Sequence, residues 1–515
     1  MIKNYTNLLK FKVSHTSFCL LYSTITYIIY NAINFDKISK WFYLKDTFDY
    51  VGIIAFYIVG LCLSIALFIL LAHRWTIKPL SIFFTIMSGL SAYFIAKYDV
   101  AIDHSMIMNT FNTDTTEVWG LLSFQMIPYI LFLIILPITV IYFVQITFAG
   151  PIKYLLRSIT LFSISIVLAL SLLYVQFDSI HRAANTSRKY ILHQLIPVNH
   201  NQSMISIIQK SIEAYLPDRE RKEINVSART LSQDNLVVVL AVGESARQKN
   251  FSLYGYTRQN TNPILSKDKD LHLLNGVAKY GSTLYALPEI LSKQDVALAT
   301  ITAKAGVNSA CYSHFSLYDN CGTVEQTRVS NCNYGDRCYD EDVIPLLNEN
   351  LKSYTSGYRF IVLHLGGGSH GPNYQRRIPP EFYHFKPMCE DADVVNECTI
   401  DELYNSYDNT IVYTDYVLGG VINELDSSGV PYVFIYVSDH GESLMENNRV
   451  FHGMPPGIPL PPEQRNVPLI VKSSIPLSIL KRQEYKQPDV YDSVLDLLSI
   501  ESNITDNGGS FLKKY

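Results

Sequence analysis

Charge is scarce in this 515-residue sequence. Asp, Glu, Lys and Arg supply 17% of it and hydrophobic residues 48%, where an ordinary soluble domain carries about 25% charged residues. That balance excludes a disordered chain, which requires the opposite composition. A basic excess is also lacking. The net charge of −4 gives no general attraction for nucleic acid, and no nucleic-acid partner is expected. No internal repeat or low-complexity tract is present, and none of the eight cysteines forms a CxxC knuckle, which argues against a zinc–thiolate site.

The scarcity is local. Residues 13–35, 50–72, 79–96, 118–152 and 158–177 contain no Asp, Glu, Lys or Arg at all. A bilayer core takes about 20 apolar residues as helix, so five transmembrane helices are expected. The run 79–96 is the shortest and holds Gly and Ser, which also suits a buried core helix. No small-residue cleavage site precedes Asp36, so the first run reads as a span and not a removed leader.

Orientation follows from charge. Lys3, Lys10 and Lys12, then Arg74 and Lys78, then Lys153 and Arg157 stand on one side without a single carboxylate. The opposite loops mix Lys37, Lys40, Lys45 and Lys97 with seven acidic residues. By the positive-inside rule the N-terminus is cytoplasmic, and five spans place everything after residue 177 outside. The cysteines agree. Cys19 and Cys62 fall inside spans, whereas Cys311, Cys321, Cys332, Cys338, Cys389 and Cys398 all lie in the exported part. Their spacing favours neighbour pairing as three disulfides, which an oxidising compartment permits.

Three regions are expected: a five-helix transmembrane domain over 1–177, a connector with helices over 178–235, and a catalytic domain over 236–515. In the last, Leu236 to Val242, Arg359 to Leu365 and Tyr432 to Ser438 are continuous apolar runs, as central parallel strands require. Segments 341–353 and 403–426 suit intervening helices. The fold class is α/β with a mostly parallel central sheet.

Ligands of open α/β sheets bind beyond the carboxyl ends of the strands. There the sequence places Gly243-Glu244-Ser245, then Gly366 to Pro372 with His370, then Asp439-His440-Gly441-Glu442-Ser443 followed by Phe451-His452-Gly453. Asp, Glu and neutral His are the ligand set for Zn²⁺. A nucleophile is offered by Ser282 or Thr283 at a loop-to-helix start. Either residue there is equally well an N-cap, or a hydroxyl poised where helix N–H groups receive a phosphate.

Val242-Gly243-Glu244-Ser245-Ala246-Arg247 with Asn250 to Tyr256 resembles the opening motif of the lipid A phosphoethanolamine transferases. These include the mobile colistin-resistance enzymes of the alkaline phosphatase/sulfatase superfamily. Ser369-His370-Gly371-Pro372, Ser438 to Ser443 and Cys338-Tyr339-Asp340-Glu341 resemble later family motifs. The resemblance implies zinc held by Glu244, Thr283, Asp439 and His440, with Thr283 the nucleophile that becomes phosphoethanolaminylated. It implies that His370 and His452 contact the substrate phosphate or a second zinc, and that Glu442 lies near the phosphoethanolamine group. Asn109, Thr113 and Glu117 match a lipid-pocket trio, and their spacing puts them on one helical face.

The implied reaction moves phosphoethanolamine from phosphatidylethanolamine to lipid A, or to another envelope acceptor, at the bacterial inner membrane with the catalytic domain in the periplasm. Two departures stand out. Tyr280 and Glu289 occupy positions where many members bracket the nucleophile with a disulfide, and Gly322 stands where a phosphate-contacting Lys is usual. Alternatives are a related phosphoglycerol or phosphoethanolamine transferase acting on another glycan or an envelope protein, and a non-enzymatic metal-binding envelope protein.

Overall fold

The structure, a computed structural model, describes residues 11–44, 47–98, 124–186, 190–197, 226–313, 320–329, 339–366, 368–369, 371, 374, 377–390, 394–395, 397–504 and 508–514. They form two compact units, N-terminal and C-terminal.

Five helices of the N-terminal unit carry the apolar runs. They are α1 (His15–Ala32), α2 (Tyr50–Leu71), α3 (Ile77–Tyr98), α4 (Met126–Phe143) and α5 (Pro151–Val175). α2 to α5 are each long and apolar enough to cross a bilayer; α1 turns by 76° into a continuation over Phe35–Phe42, and the bent pair counted as one span makes the fifth. The chain is a membrane protein. The run 79–96, short in sequence, becomes the 22-residue α3 because Ile77, Lys78, Lys97 and Tyr98 extend it at both ends. A sixth helix, α6 (Phe177–Thr186), packs in the same unit, where Arg182 meets Asp49 at 3.0 Å and Ala183 joins Tyr27 and Phe56 in one apolar cluster. Asp49 in turn caps α2, accepting the Gly52 amide at 2.8 Å, which satisfies one of the amides a helix start leaves open.

α4 is not regular throughout. Residues Ile130–Ile135 widen into a π-helical turn. Pro137 accounts for this, because it has no N–H for the carbonyl of Leu133 and its ring crowds that oxygen. A freed carbonyl inside a bilayer needs another donor. The Tyr30 hydroxyl, on a side chain 1% exposed, provides it at 2.7 Å. Tyr30→Phe removes that donor and keeps the ring. The expected outcome is a loss of about 0.5–2 kcal/mol, read as a lower thermal unfolding midpoint in detergent. Adding Pro137→Ala, which restores the intrahelical donor, recovers most of the loss.

The C-terminal unit is built on an eight-stranded sheet: β1 (Leu236–Gly243), β2 (His272–Val277), β3 (Asn308–Ser313), β4 (Gln326–Arg328), β5 (Tyr358–His364), β6 (Tyr432–Ser438), β7 (Asn466–Ser473) and β8 (Tyr485–Lys486). Their order is β4-β3-β5-β1-β6-β7-β2-β8, and only β7 runs against its neighbours. The three strands expected from apolar runs are β1, β5 and β6, the central trio, each matched to within one residue. Every residue of the three is buried, as a sheet covered on both faces demands.

Helices follow the strands: α7 (Thr283–Leu291), α8 (Leu298–Lys304), α9 (Val343–Lys352), α10 (Ile400–Ser428) and α11 (Gln487–Leu497). One set of alternating strand residues, including Val238, Leu240, Val362 and Ile435, packs with Leu287, Ile290 and Val494 from α7 and α11. α10 starts with a capping box of Thr399 and Glu402 and stops at Gly429, whose φ is +67°, a backbone state glycine adopts without strain.

Cys311–Cys321 and Cys389–Cys398 are disulfides, in the expected neighbour pairing, and Cys19 and Cys62 are free and buried. Cys332 and Cys338 lie outside the described residues.

Candidate active site

The register of the sheet assembles the site. Gly243 of β1 pairs with Ser438 of β6, and Val242 with His364 of β5, so three neighbouring strands end at one level. The next residues, Glu244 and Asp439, are therefore delivered side by side, with the Asp439 amide donating to the Gly243 carbonyl at 2.9 Å. Gly441 is required just beyond: a Cβ there would lie 2.1 Å from the carbonyl oxygen of Glu463.

Asp439, His440 and Glu442 are 0% exposed and Glu244 is 7% exposed. Asp439 Oδ1 accepts the amides of Ser245 at 3.0 Å and His440 at 2.7 Å, whereas Oδ2 accepts no hydrogen bond. His440 Nδ1 lies 3.0 Å from the Gly441 carbonyl. A carbonyl only accepts, so Nδ1 carries a hydrogen, which in the neutral ring leaves Nε2 as the acceptor. That atom lies 3.3 Å from Asp439 Oδ2 and 3.5 Å from Glu244 Oε1. Three acceptor groups thus converge where a donor or a cation is needed.

Thr283 brings a hydroxyl to them. It is the first residue of α7, with its Oγ1 at 3.0 and 3.1 Å from the Glu244 carboxylate oxygens and 3.4 Å from His440 Nε2. Ser282 holds the N-cap position but makes no side-chain cap bond, and it is 1% exposed. Ser282 is turned inward, whereas Thr283 faces the cluster and is partly open to solvent.

His452 stacks near His440, ring centroids 4.4 Å apart, and its Nδ1 is 3.0 Å from Glu442 Oε2. Burial pushes the imidazole of His452 down to about 3. Burial pushes the Glu442 carboxyl well above its usual range. Both shifts favour the neutral pair of carboxylic acid and imidazole, which holds one proton between them. His370, Asn109, Thr113 and Glu117 lie outside the described residues.

The residues fit a metal. Glu244, His440 and His452 each offer a ligand atom within 4.8 Å of the others, and all donors are oxygen or imidazole nitrogen, as zinc accepts. The stronger argument is electrostatic. Burial, then the neighbouring charge of Glu244, drives the Asp439 carboxyl well above its usual range. Two buried carboxylates in contact cannot both ionise without a cation. Gln487 and Arg247 carry no assigned role in the sequence reading, yet both sit against the site. Gln487 Nε2 donates to the carbonyls of Ser438 at 3.0 Å and Asp439 at 2.5 Å.

The family model described as Sulfatase matches residues 236–500, and the one described as Phosphoethanolamine transferase EptA/EptB matches residues 60–212. Phosphoethanolamine transferase EptA of Helicobacter pylori is 32% identical over 508 residues, covering 92% of each chain. The chain belongs to the phosphoethanolamine transferase family. Phosphatidylethanolamine transferase Mcr-1 of Escherichia coli is 29% identical over 475 residues, 85% of this chain and 86% of the relative. Among solved structures, the integral membrane lipooligosaccharide phosphoethanolamine transferase A of Neisseria meningitidis superposes with a TM-score of 0.82 at 25% identity, covering 97% of each chain. That likeness and the match to the sulfatase model establish the expected architecture of apolar N-terminal helices and a sulfatase-type sheet.

Asp439→Asn tests the electrostatic argument. The new amide keeps Oδ1 for the two backbone donors and can give a hydrogen to His440 Nε2. Metal-free Asp439→Asn protein should be more stable than metal-free wild type by about 1–3 kcal/mol. Zinc should raise the unfolding midpoint of wild type only; at a hundred times Kd the gain is about 2.7 kcal/mol. Differential scanning fluorimetry of chelator-stripped protein, with and without zinc, reads both.

Proposed function

We propose that this protein transfers phosphoethanolamine from phosphatidylethanolamine to a phosphate of lipid A, through a covalent phosphoethanolamine–Thr283 intermediate. The observation that carries the reading is the Thr283 hydroxyl at the start of α7, 3.0 Å from Glu244 and 3.4 Å from His440 Nε2. Glu244, Thr283, Asp439 and His440 would hold zinc, which when bound supplies Lewis acidity and offsets the two carboxylate charges.

Each side chain then has a task. Glu244 takes up the hydrogen-bonded proton of Thr283 Oγ1 and so sharpens a hydroxyl that is a weak nucleophile on its own. Thr283 Oγ1 attacks the phosphorus of the donor lipid, and the bond from phosphorus to the diacylglycerol oxygen breaks. The first-turn amides of α7 face the phosphoryl oxygens, where a helix N-terminus favours negative charge. The Glu442–His452 pair holds one proton and gives it to the departing diacylglycerol oxygen. In the second half, a protonated phosphate oxygen of the acceptor gives its proton back to the Glu442–His452 pair as it attacks the same phosphorus, and Thr283 Oγ1 leaves and recovers its proton from Glu244. His452 orients the phosphate, a task that the family resemblance also gives to His370.

The acceptor and donor are read from the relatives' names and from lipid-facing helices: the relatives include transferases named for phosphatidylethanolamine and for lipooligosaccharide. Mass spectrometry of lipid A from a host lacking its own transferases tests the whole scheme. Wild type is expected to add one phosphoethanolamine, Thr283→Ala none, and polymyxin susceptibility should fall only with wild type, since the modification offsets phosphate charge. Unmodified lipid A from well-expressed wild type would remove lipid A as the acceptor.

A periplasmic catalytic unit is supported by the loops that bear lysine and arginine without carboxylates, which the positive-inside rule assigns to the cytoplasm. Leu480, 56% exposed in the C-terminal unit, offers a labelling position. A membrane-impermeant maleimide should modify Leu480→Cys in intact spheroplasts and Lys153→Cys only after lysis; the reverse pattern would invert the topology.

A further inference from the structure

Arg247 follows the Glu244 turn, and its side chain is 0% exposed. A guanidinium so enclosed touches neither solvent nor substrate, so its role is exerted through other residues. Its surroundings are unusually specific. Nη1 donates to Glu446 Oε1 at 2.7 Å and to the carbonyl of Glu442 at 3.1 Å, and Nε donates to Asn250 Oδ1 at 2.6 Å. The rings of Tyr404 and Tyr407, one turn apart on α10, lie 5.2 and 5.3 Å from the guanidinium carbon. This flat cation therefore joins three elements: the turn carrying Glu244, the loop carrying Asp439, His440 and Glu442, and α10.

The tyrosines complete the link. The Tyr407 hydroxyl donates to the Ser245 carbonyl at 2.8 Å and accepts the Arg247 amide at 2.9 Å. The Tyr404 hydroxyl donates to Glu446 Oε1 at 2.8 Å, and Glu446 Oε2 accepts the Leu444 amide at 2.6 Å. Two of the residues so gripped are strained. Ser245 has φ +58°, and Met445, between Leu444 and Glu446, has φ +73°. Side-chain-bearing residues hold such angles only where the surroundings over-determine them. Left-handed Ser245 is what brings its amide onto Asp439 Oδ1 and its hydroxyl onto Glu244 Oε1, at 3.0 and 2.8 Å.

We infer that Arg247, clamped between Tyr404 and Tyr407 and paired with Glu446, is a positioning residue that locks the two strand-end loops in the register at which Glu244, Asp439 and His440 share one cation. The inference rests on the metal reading of those three residues given above. Lysine keeps the charge but has no planar fork to bridge Glu446, Asn250 and a carbonyl while stacked on two rings.

The test is zinc affinity of the full-length, detergent-purified, metal-stripped protein, titrated in competition with a chromophoric chelator. Arg247→Lys is expected to weaken zinc binding by about 10–100-fold, the range for residues that orient metal ligands. Tyr404→Phe keeps the ring, loses one hold on Glu446, and should weaken binding less, in the same direction. Metal-free unfolding midpoints are read in parallel. Wild-type zinc affinity in folded Arg247→Lys and Tyr404→Phe, whatever their midpoints, overturns the inference. If Arg247→Lys does not fold, Tyr404→Phe decides alone: weaker zinc supports it and unchanged affinity overturns it. Glu244→Gln is the control for the underlying reading, because unchanged zinc affinity there refutes the metal site itself.

Discussion

Two carboxylates set next to each other at the ends of adjacent parallel strands are the constraint on which the C-terminal unit turns. Parallel pairing delivers Glu244 and Asp439 to the same level because Gly243 and Ser438 are in register. Strands running the same way end on the same side, so the polar residues that terminate them are bound to meet. In water this would be harmless. Buried, with Asp439 Oδ2 accepting no hydrogen bond among the described residues, it is a concentration of negative charge that calls for a cation. An apolar core of this size tolerates such a concentration only where a ligand resolves it.

The surrounding structure shows how that arrangement is kept from relaxing. A pair of like charges pushes its two loops apart, and nothing in strand pairing resists motion beyond the last ladder bond. Resistance comes from outside the ladder: Gln487 on two carbonyls, Gly441 pressed against the Glu463 carbonyl, and the Arg247 cation between the loops. The sign of that cation matters. Glu446 is held below its usual range with Arg247 as the cause that opposes its burial, so the pair stays ionised and keeps its grip. Thr283 stands apart from this bracing, on α7, partly exposed, which suits the nucleophile proposed for it.

Much of this was legible in the sequence, for reasons that differ by residue. β1, β5 and β6 announced themselves because a strand buried on both faces reads as an unbroken apolar run, and their termini named the candidate ligands directly. Two neighbour disulfides, Cys311–Cys321 and Cys389–Cys398, were legible from spacing. The choice between Ser282 and Thr283 was not, since both suit a helix start and the difference is which one φ and ψ turn inward. Arg247 stood in a quoted motif, but a buried arginine is indistinguishable in sequence from a solvated one until Tyr404 and Tyr407, 157 and 160 residues later, are folded over it. Gln487 was silent for the same reason. Edge strands such as β4 and β8, at three and two residues, carry too little pattern to stand out.

The N-terminal unit obeys the same accounting in a different solvent. There the unmet group is the Leu133 carbonyl, released by Pro137 and claimed by the Tyr30 hydroxyl. Hydrocarbon offers no water as a fallback, so a proline in a span requires a donor from a neighbouring helix, and the donor must sit at one depth and on one face. Tyr30 satisfies both from α1. Ser64 and Ser165 return their hydroxyls to their own helices, to the carbonyls of Gly60 and Leu161, each at 2.8 Å. Those bonds need no partner and so fix nothing between helices. The Tyr30–Leu133 bond does, and for that reason a helix-breaking residue becomes a point that registers α1 against α4.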